Sequence, residues 1–146
     1  MSYDYKYITV YIDTDGLLLG VPCGKSKKYD IAGLDLIFTL KPPYNDDELE
    51  SFLQMILDKC YSEPCKDDTI TSIEKHYRVK GYGKATKNLK MILVQWLKKE
   101  GYSVTPTRNS GKSCFLHLED KIGRVETKYN CGDMAKAFRK ALELAE

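Results

Sequence analysis

Histidine is almost absent from this chain, with only His76 and His117 in 146 residues, and long apolar runs are missing altogether. The first scarcity argues against a metal site: Cys60 and Cys65 lie close together, but no second close pair follows to complete a zinc ligand set. The second argues against a membrane span, since no stretch approaches the roughly 18 to 20 uncharged apolar residues that crossing a bilayer takes. The opening residues, Met1 to Lys6, are tyrosine-rich and polar rather than like a secretory signal, so a cytosolic protein is expected. Cysteines are few and odd in number (Cys23, Cys60, Cys65, Cys114 and Cys131), so a disulfide framework would leave one unpaired. Free thiols are expected instead.

What is present suits an ordinary globular chain. Apolar residues make up 42% and charged residues 30%, and a chain of this size buries roughly two thirds of its unfolded surface, so residues 1–146 are expected to form a single domain. Charge is divided unevenly. Residues 1–70 carry 7 Lys and Arg against 13 Asp and Glu, and residues 71–146 carry 16 against 8, giving −6 and +8 for the stated total of +2. Such asymmetry suggests two differently charged surfaces, or solvated faces that drifted apart in composition.

The chain also reads as the same unit written twice. Shifted by 85 positions, residues 7–58 fall on residues 92–143: Gly16 meets Gly101, Tyr44 and Asn45 meet Tyr129 and Asn130, and Leu57 meets Leu142. In the first unit (5–60), Ile8, Val10 and Ile12 alternate with Tyr7, Thr9 and Tyr11, which predicts a strand. Asp15-Gly16 turns it, Leu17 to Val21 returns, a glycine and lysine loop covers 24–28, and Leu34 to Leu40 makes a third strand that Pro42 and Pro43 end. Asn45 with Glu48 predicts a capping box for a helix that buries Leu49, Phe52, Leu53, Ile56 and Leu57. In the second unit (89–146), Leu89 to Leu97 fits a buried helix or a buried strand by periodicity, and the repeat decides for strand. Tyr102 to Arg108, Cys114 to Leu118 and Gly123 to Thr127 extend the sheet, and Asn130 caps a closing helix. The expected class is α+β: two β-hairpin, strand and helix units related by an internal repeat, forming a mostly antiparallel sheet with helices packed on it.

Between the units, residues 62–88 read as a basic linker, with a short helix from Thr69 to Tyr77 capped by Asp68. Its Lys75, Tyr77, Arg78, Lys80, Tyr82, Lys84 and Lys87 interleave cations with aromatics, a composition that neutralises phosphates and stacks bases. A small nucleic-acid-binding protein is therefore one functional reading, and a solvated charged face is the plainer one. The tyrosine stripe of Tyr3, Tyr5, Tyr7 and Tyr11 is open in the same way, between packing and recognition.

Motifs that suggest catalysis do not survive their spacing. Gly111-Lys112-Ser113 and Gly24-Lys25-Ser26 end like a phosphate-binding loop, but Pro106 and Leu19 stand where its first glycine belongs. Cys114 and His117 would point to opposite faces of a strand. No catalytic set, metal site or cofactor is expected.

The stretch Lys80-Gly-Tyr-Gly-Lys-Ala-Thr-Lys87, then Leu89 to Trp96, Gly101 to Asn109 and the closing segment Gly132 to Leu144 resemble the C-terminal part of small immunity proteins of contact-dependent growth inhibition and related polymorphic-toxin systems. The resemblance implies a non-enzymatic cytosolic protein that binds and neutralises one cognate toxin domain, often a nuclease. A basic nuclease cleft would be met by carboxylates. The candidate partner-binding residues are then Asp46, Asp47, Glu48 and Glu50 at the first helix and Glu63, Asp67 and Asp68 beyond it.

Overall fold

The alternating pattern at the start of the chain forms strand β1 (Tyr5–Ile12) in the computed structural model, which describes residues 3–66, 70–111 and 114–146. Asp13 organises the turn that follows. Its carboxylate accepts the N–H groups of Asp15 and Leu17 at 2.9 Å each, and Gly16 takes a φ of +88° that a side chain would resist. The chain returns as β2 (Leu18–Ser26), followed by β3 (Asp30–Gly33) and β4 (Phe38–Leu40).

Two expectations for this stretch need correction. Residues 24–26 are not loop, because β2 continues through them to pair with β3. Gly24 serves close approach rather than a turn: a Cβ there would collide with the Leu34 side chain. The expected strand from Leu34 to Leu40 is also divided, since pairing stops at Gly33 and resumes at Phe38, where Leu18, Leu19 and Gly20 of β2 offer a second partner position.

Helix α1 (Asp46–Asp58) begins with the expected capping box, in which Asn45 Oδ1 accepts from Glu48 N–H at 2.8 Å and Glu48 Oε1 accepts from Asn45 N–H at 3.2 Å. Beyond it the backbone runs along β2, with Tyr61 N–H bonded to Cys23 O at 2.8 Å and Cys65 N–H to Lys25 O at 3.1 Å. The connecting segment then forms two short helices, α2 (Ser72–Tyr77) and α3 (Tyr82–Ala85). Thr71 caps α2, so the helix starts later than expected; Asp68 and Thr69 lie outside the described residues.

Residues 90–97 are extended, as β5 (Lys90–Leu97), and lead into β6 (Gly101–Asn109), β7 (Phe115–His117), a single 3-10 turn, β8 (Gly123–Val125) and α4 (Asp133–Leu144). The strands β7 and β8 are shorter than the sequence pattern suggests. Asn130 does not cap α4, whose N-cap position is Gly132.

All strands join one antiparallel sheet in the order β3-β2-β1-β5-β6-β7, with β4 also on β2 and β8 also on β6. The two halves meet at the centre, where β1 and β5 pair over their whole length from Tyr5 opposite Leu97 to Ile12 opposite Lys90. Strands β1, β3 and β4 begin at residues 5, 30 and 38, and β5, β7 and β8 begin at 90, 115 and 123, which is 85 positions on in each case. This correspondence is one of topology and does not establish a duplication.

Helices cover both faces of the curled sheet. Ile8, Val10, Ile92, Val94 and Val104 pack against Leu49, Leu53 and Ile56 of α1 and Met134 and Phe138 of α4. These side chains are 0–1% exposed, and burying each contributes roughly 1.5–3 kcal/mol. On the opposite face Tyr11, Leu19, Val21 and Met91 pack against Ile73 of α2 and Ala85 of α3. The basic linker is thus part of the fold, closing the second face of the sheet.

Candidate functional site

The acidic residues singled out in the sequence separate into distinct environments. Asp46 pairs with Arg139 of α4 at 3.0 Å, and Arg139 also donates to Tyr44 O at 2.9 Å. Asp47 accepts from the Cys131 thiol at 3.2 Å and pushes that thiol up from its usual range. Glu48 is held in the capping box. Glu50 is only 9% exposed, and its carboxylate accepts Gly132 N–H at 3.0 and 3.1 Å and Ala135 N–H at 2.9 Å. It therefore caps α4 from a neighbouring helix. Glu63 lies past the far end of α1, at the opposite end of that helix from Asp47. Asp67 and Asp68 lie outside the described residues.

The linker residues divide by type. Arg78, Lys80, Lys84 and Lys87 are exposed, and Lys75 bonds Asp35 at 2.9 Å. The aromatics turn inward. Tyr77 and Tyr82 pack on the second core, where the Tyr82 hydroxyl meets that of Tyr11 at 2.7 Å. A nucleic-acid face here would have its cations without Tyr77 and Tyr82 as stacking platforms.

The tyrosine stripe is mainly structural. Tyr5 accepts from Gln95 at 2.9 Å, Tyr3 stacks on Tyr61 with ring centroids 3.5 Å apart, and burial pushes the Tyr11 phenol well up. Tyr7, Thr9 and Tyr11 line a cavity of about 280 Å³ whose far wall is α2. At its rim Asp35 joins Lys66 and Lys75, and the Lys75 hydrogen bond holds the Asp35 carboxyl below its usual range.

The five cysteines are all free. Cys23 and Cys60 meet in the first core, where Cys23 N–H donates to Cys60 Sγ at 3.5 Å and the Cys60 thiol donates to Tyr7 O at 3.4 Å. Hydrogen bonding to Cys23 and then burial push the Cys60 thiol up. Cys114 and His117 are both exposed. No group of three or more metal-ligating side chains gathers among the described residues, and no helix among them is long and apolar enough to cross a membrane.

One surface went unnoticed in the sequence. Arg124, Lys128, Lys136 and Lys140 line a groove of about 530 Å³ between β8 and α4, and a second hollow continues it past Lys121. The signal was the i, i+4 pair Lys136 and Lys140, opposite the apolar stripe of the closing helix.

No family model matches the chain, and no curated protein matches it. Solved structures do. A protein of unknown function from Neisseria meningitidis matches over 100% of both chains with a TM-score of 0.73 at 10% identity. A chain of the CdiA-CT/CdiI toxin and immunity complex from Yersinia pseudotuberculosis matches over 99% of both chains with a TM-score of 0.69 at 13% identity. At such identities the likeness is one of fold, and the α+β architecture described above is shared with a chain from a toxin and immunity complex.

Proposed function

We propose that this chain is a cytoplasmic immunity protein: it binds a cognate bacterial toxin domain, most simply a nuclease, and neutralises it by protein–protein contact without catalysis. The observation that carries this reading is the end-to-end fold match to a chain of the CdiA-CT/CdiI complex. The sequence resemblance of residues 80–144 to immunity proteins supports the same side of that pair. The architecture suits the task, because a sheet covered by helices on both faces holds charged surface groups in fixed relation. Asp46, Asp47 and Glu48 remain solvent-facing at the start of α1, so even with Asp46 paired to Arg139 and Asp47 bonded to Cys131 they would meet a basic cleft.

The test is co-purification with the C-terminal domain encoded by the gene immediately upstream. A one-to-one complex that abolishes the toxicity of that domain is the expected result. A purified pair that neither associates nor protects would sink the reading.

A further inference from the structure

We propose that the groove between β8 and α4 is a docking surface for an acidic segment of the partner polypeptide, an inference that deepens the immunity reading and rests on it. Its starting point is which charges the fold has already used. Asp46, Asp47 and Glu50 are bonded to α4 or to the segment just before it, and Asp35 holds two lysines. By contrast, the side chains of Lys121, Arg124, Lys128, Lys136 and Lys140 make no ion pair or hydrogen bond among the described residues. Five cations line the groove against three acids, Asp120, Glu126 and Asp133, so its charge is net positive.

The backbone concentrates it. Asp133, Lys136, Ala137, Lys140 and Leu144 fall at helical spacing along one side of α4, Met134 and Phe138 are buried in the core, and Ala137 and Ala141 lie at the boundary, lining the hollow and packing on the core at once. Ala137 and Gly123 form a low floor: a Cβ built on Gly123 would stand 3.7 Å from that of Ala137. Basic side chains from β8 and the segment after it, Arg124 and Lys128, and from α4, Lys136 and Lys140, thus line the groove from both sides. Asp120, Glu126 and Asp133 also border it, and Asp133 is occupied in accepting the N–H of Asn130 at 3.1 Å. Interspersed acids and the absence of aromatic lining suit carboxylate side chains on a polypeptide better than a continuous phosphate backbone.

The first experiment titrates the isotopically labelled full chain with a short synthetic peptide of alternating glutamate and glycine at low salt. Amide shifts confined to residues 123–128 and 133–140 are expected, fading as salt rises and lost in Arg124→Glu/Lys136→Glu/Lys140→Glu. The neutral set Arg124→Gln/Lys136→Gln/Lys140→Gln repeats the test with less disturbance to the fold. Shifts elsewhere, no shifts, or tighter binding of a DNA duplex in the same groove would overturn the proposal. The second measures association with the upstream-encoded toxin domain, which the glutamate variant is expected to slow by about tenfold. An unchanged rate for that variant, with the wild-type complex intact, removes the groove and leaves the immunity reading standing. Peptide shifts in the groove without any toxin complex would do the reverse.

Discussion

Glu50 shows how one carboxylate ties two elements together. It leaves α1 on the buried side and satisfies the first N–H groups of α4, a role that an acidic residue performs well because the helix N-terminus carries positive partial charge. Replacing it with alanine would leave the part-buried N–H of Gly132 and the buried N–H of Ala135 without that acceptor. Glu50→Ala is expected to cost about 1–3 kcal/mol by denaturant unfolding, while Glu50→Gln, which keeps an acceptor oxygen, costs less. Glu74 plays a comparable part in the linker, accepting the N–H groups of Thr71 at 3.1 Å and Gly81 at 2.9 Å. The Thr71 bond holds its carboxyl below the usual 4.5. A depressed carboxyl stabilises the fold above its unfolded pKa and loses that contribution as pH falls through the folded value. The melting-temperature gap between wild type and Glu74→Gln should therefore be full at neutral pH and shrink below about pH 4.5; a gap that persists unchanged into acid contradicts this.

At the scale of elements, the two turn glycines that the sequence aligns are not equal. Both have positive φ, but a Cβ on Gly16 would stand 3.4 Å from Pro42, whereas one on Gly101 would press to 2.7 Å from Val125 O and 3.0 Å from Thr127 N. Gly16→Ala is expected to cost about 1–2 kcal/mol from backbone strain, and Gly101→Ala about 1–3 kcal/mol more from the backbone it meets. Equal losses in thermal unfolding would count against this account. The contrast marks the limit of what the sequence reveals. Local signals were readable: the β1 alternation, the Asn45 and Glu48 box, the strand at 90–97. Asn130 misled because capping there depends on Glu50, which lies 82 positions before Gly132 in the chain. Likewise Gly24 reads as a loop residue until Leu34 is seen against it. The acidic candidates were legible as charges but not as partners, since Arg139 and Cys131 meet Asp46 and Asp47 only after folding.

For the whole molecule, the sheet order places β1 and β5 at the centre, each bonded along both edges and covered on both faces. Native-state hydrogen exchange should find its slowest amides in these two strands, at residues 8–12 and 92–94, while amides of α3, a helix of four residues, exchange through cheaper local openings. Faster exchange at the centre than in α3 would mean that the linker, not the central pair, is the stable nucleus.

That central pairing also governs how the protein is made. Tyr11 finds its partner Met91 only after eighty further residues have left the ribosome. Until then, the nascent N-terminal half presents a bare hydrogen-bonding edge to whatever passes, so its safe production depends on translation outpacing unwanted association.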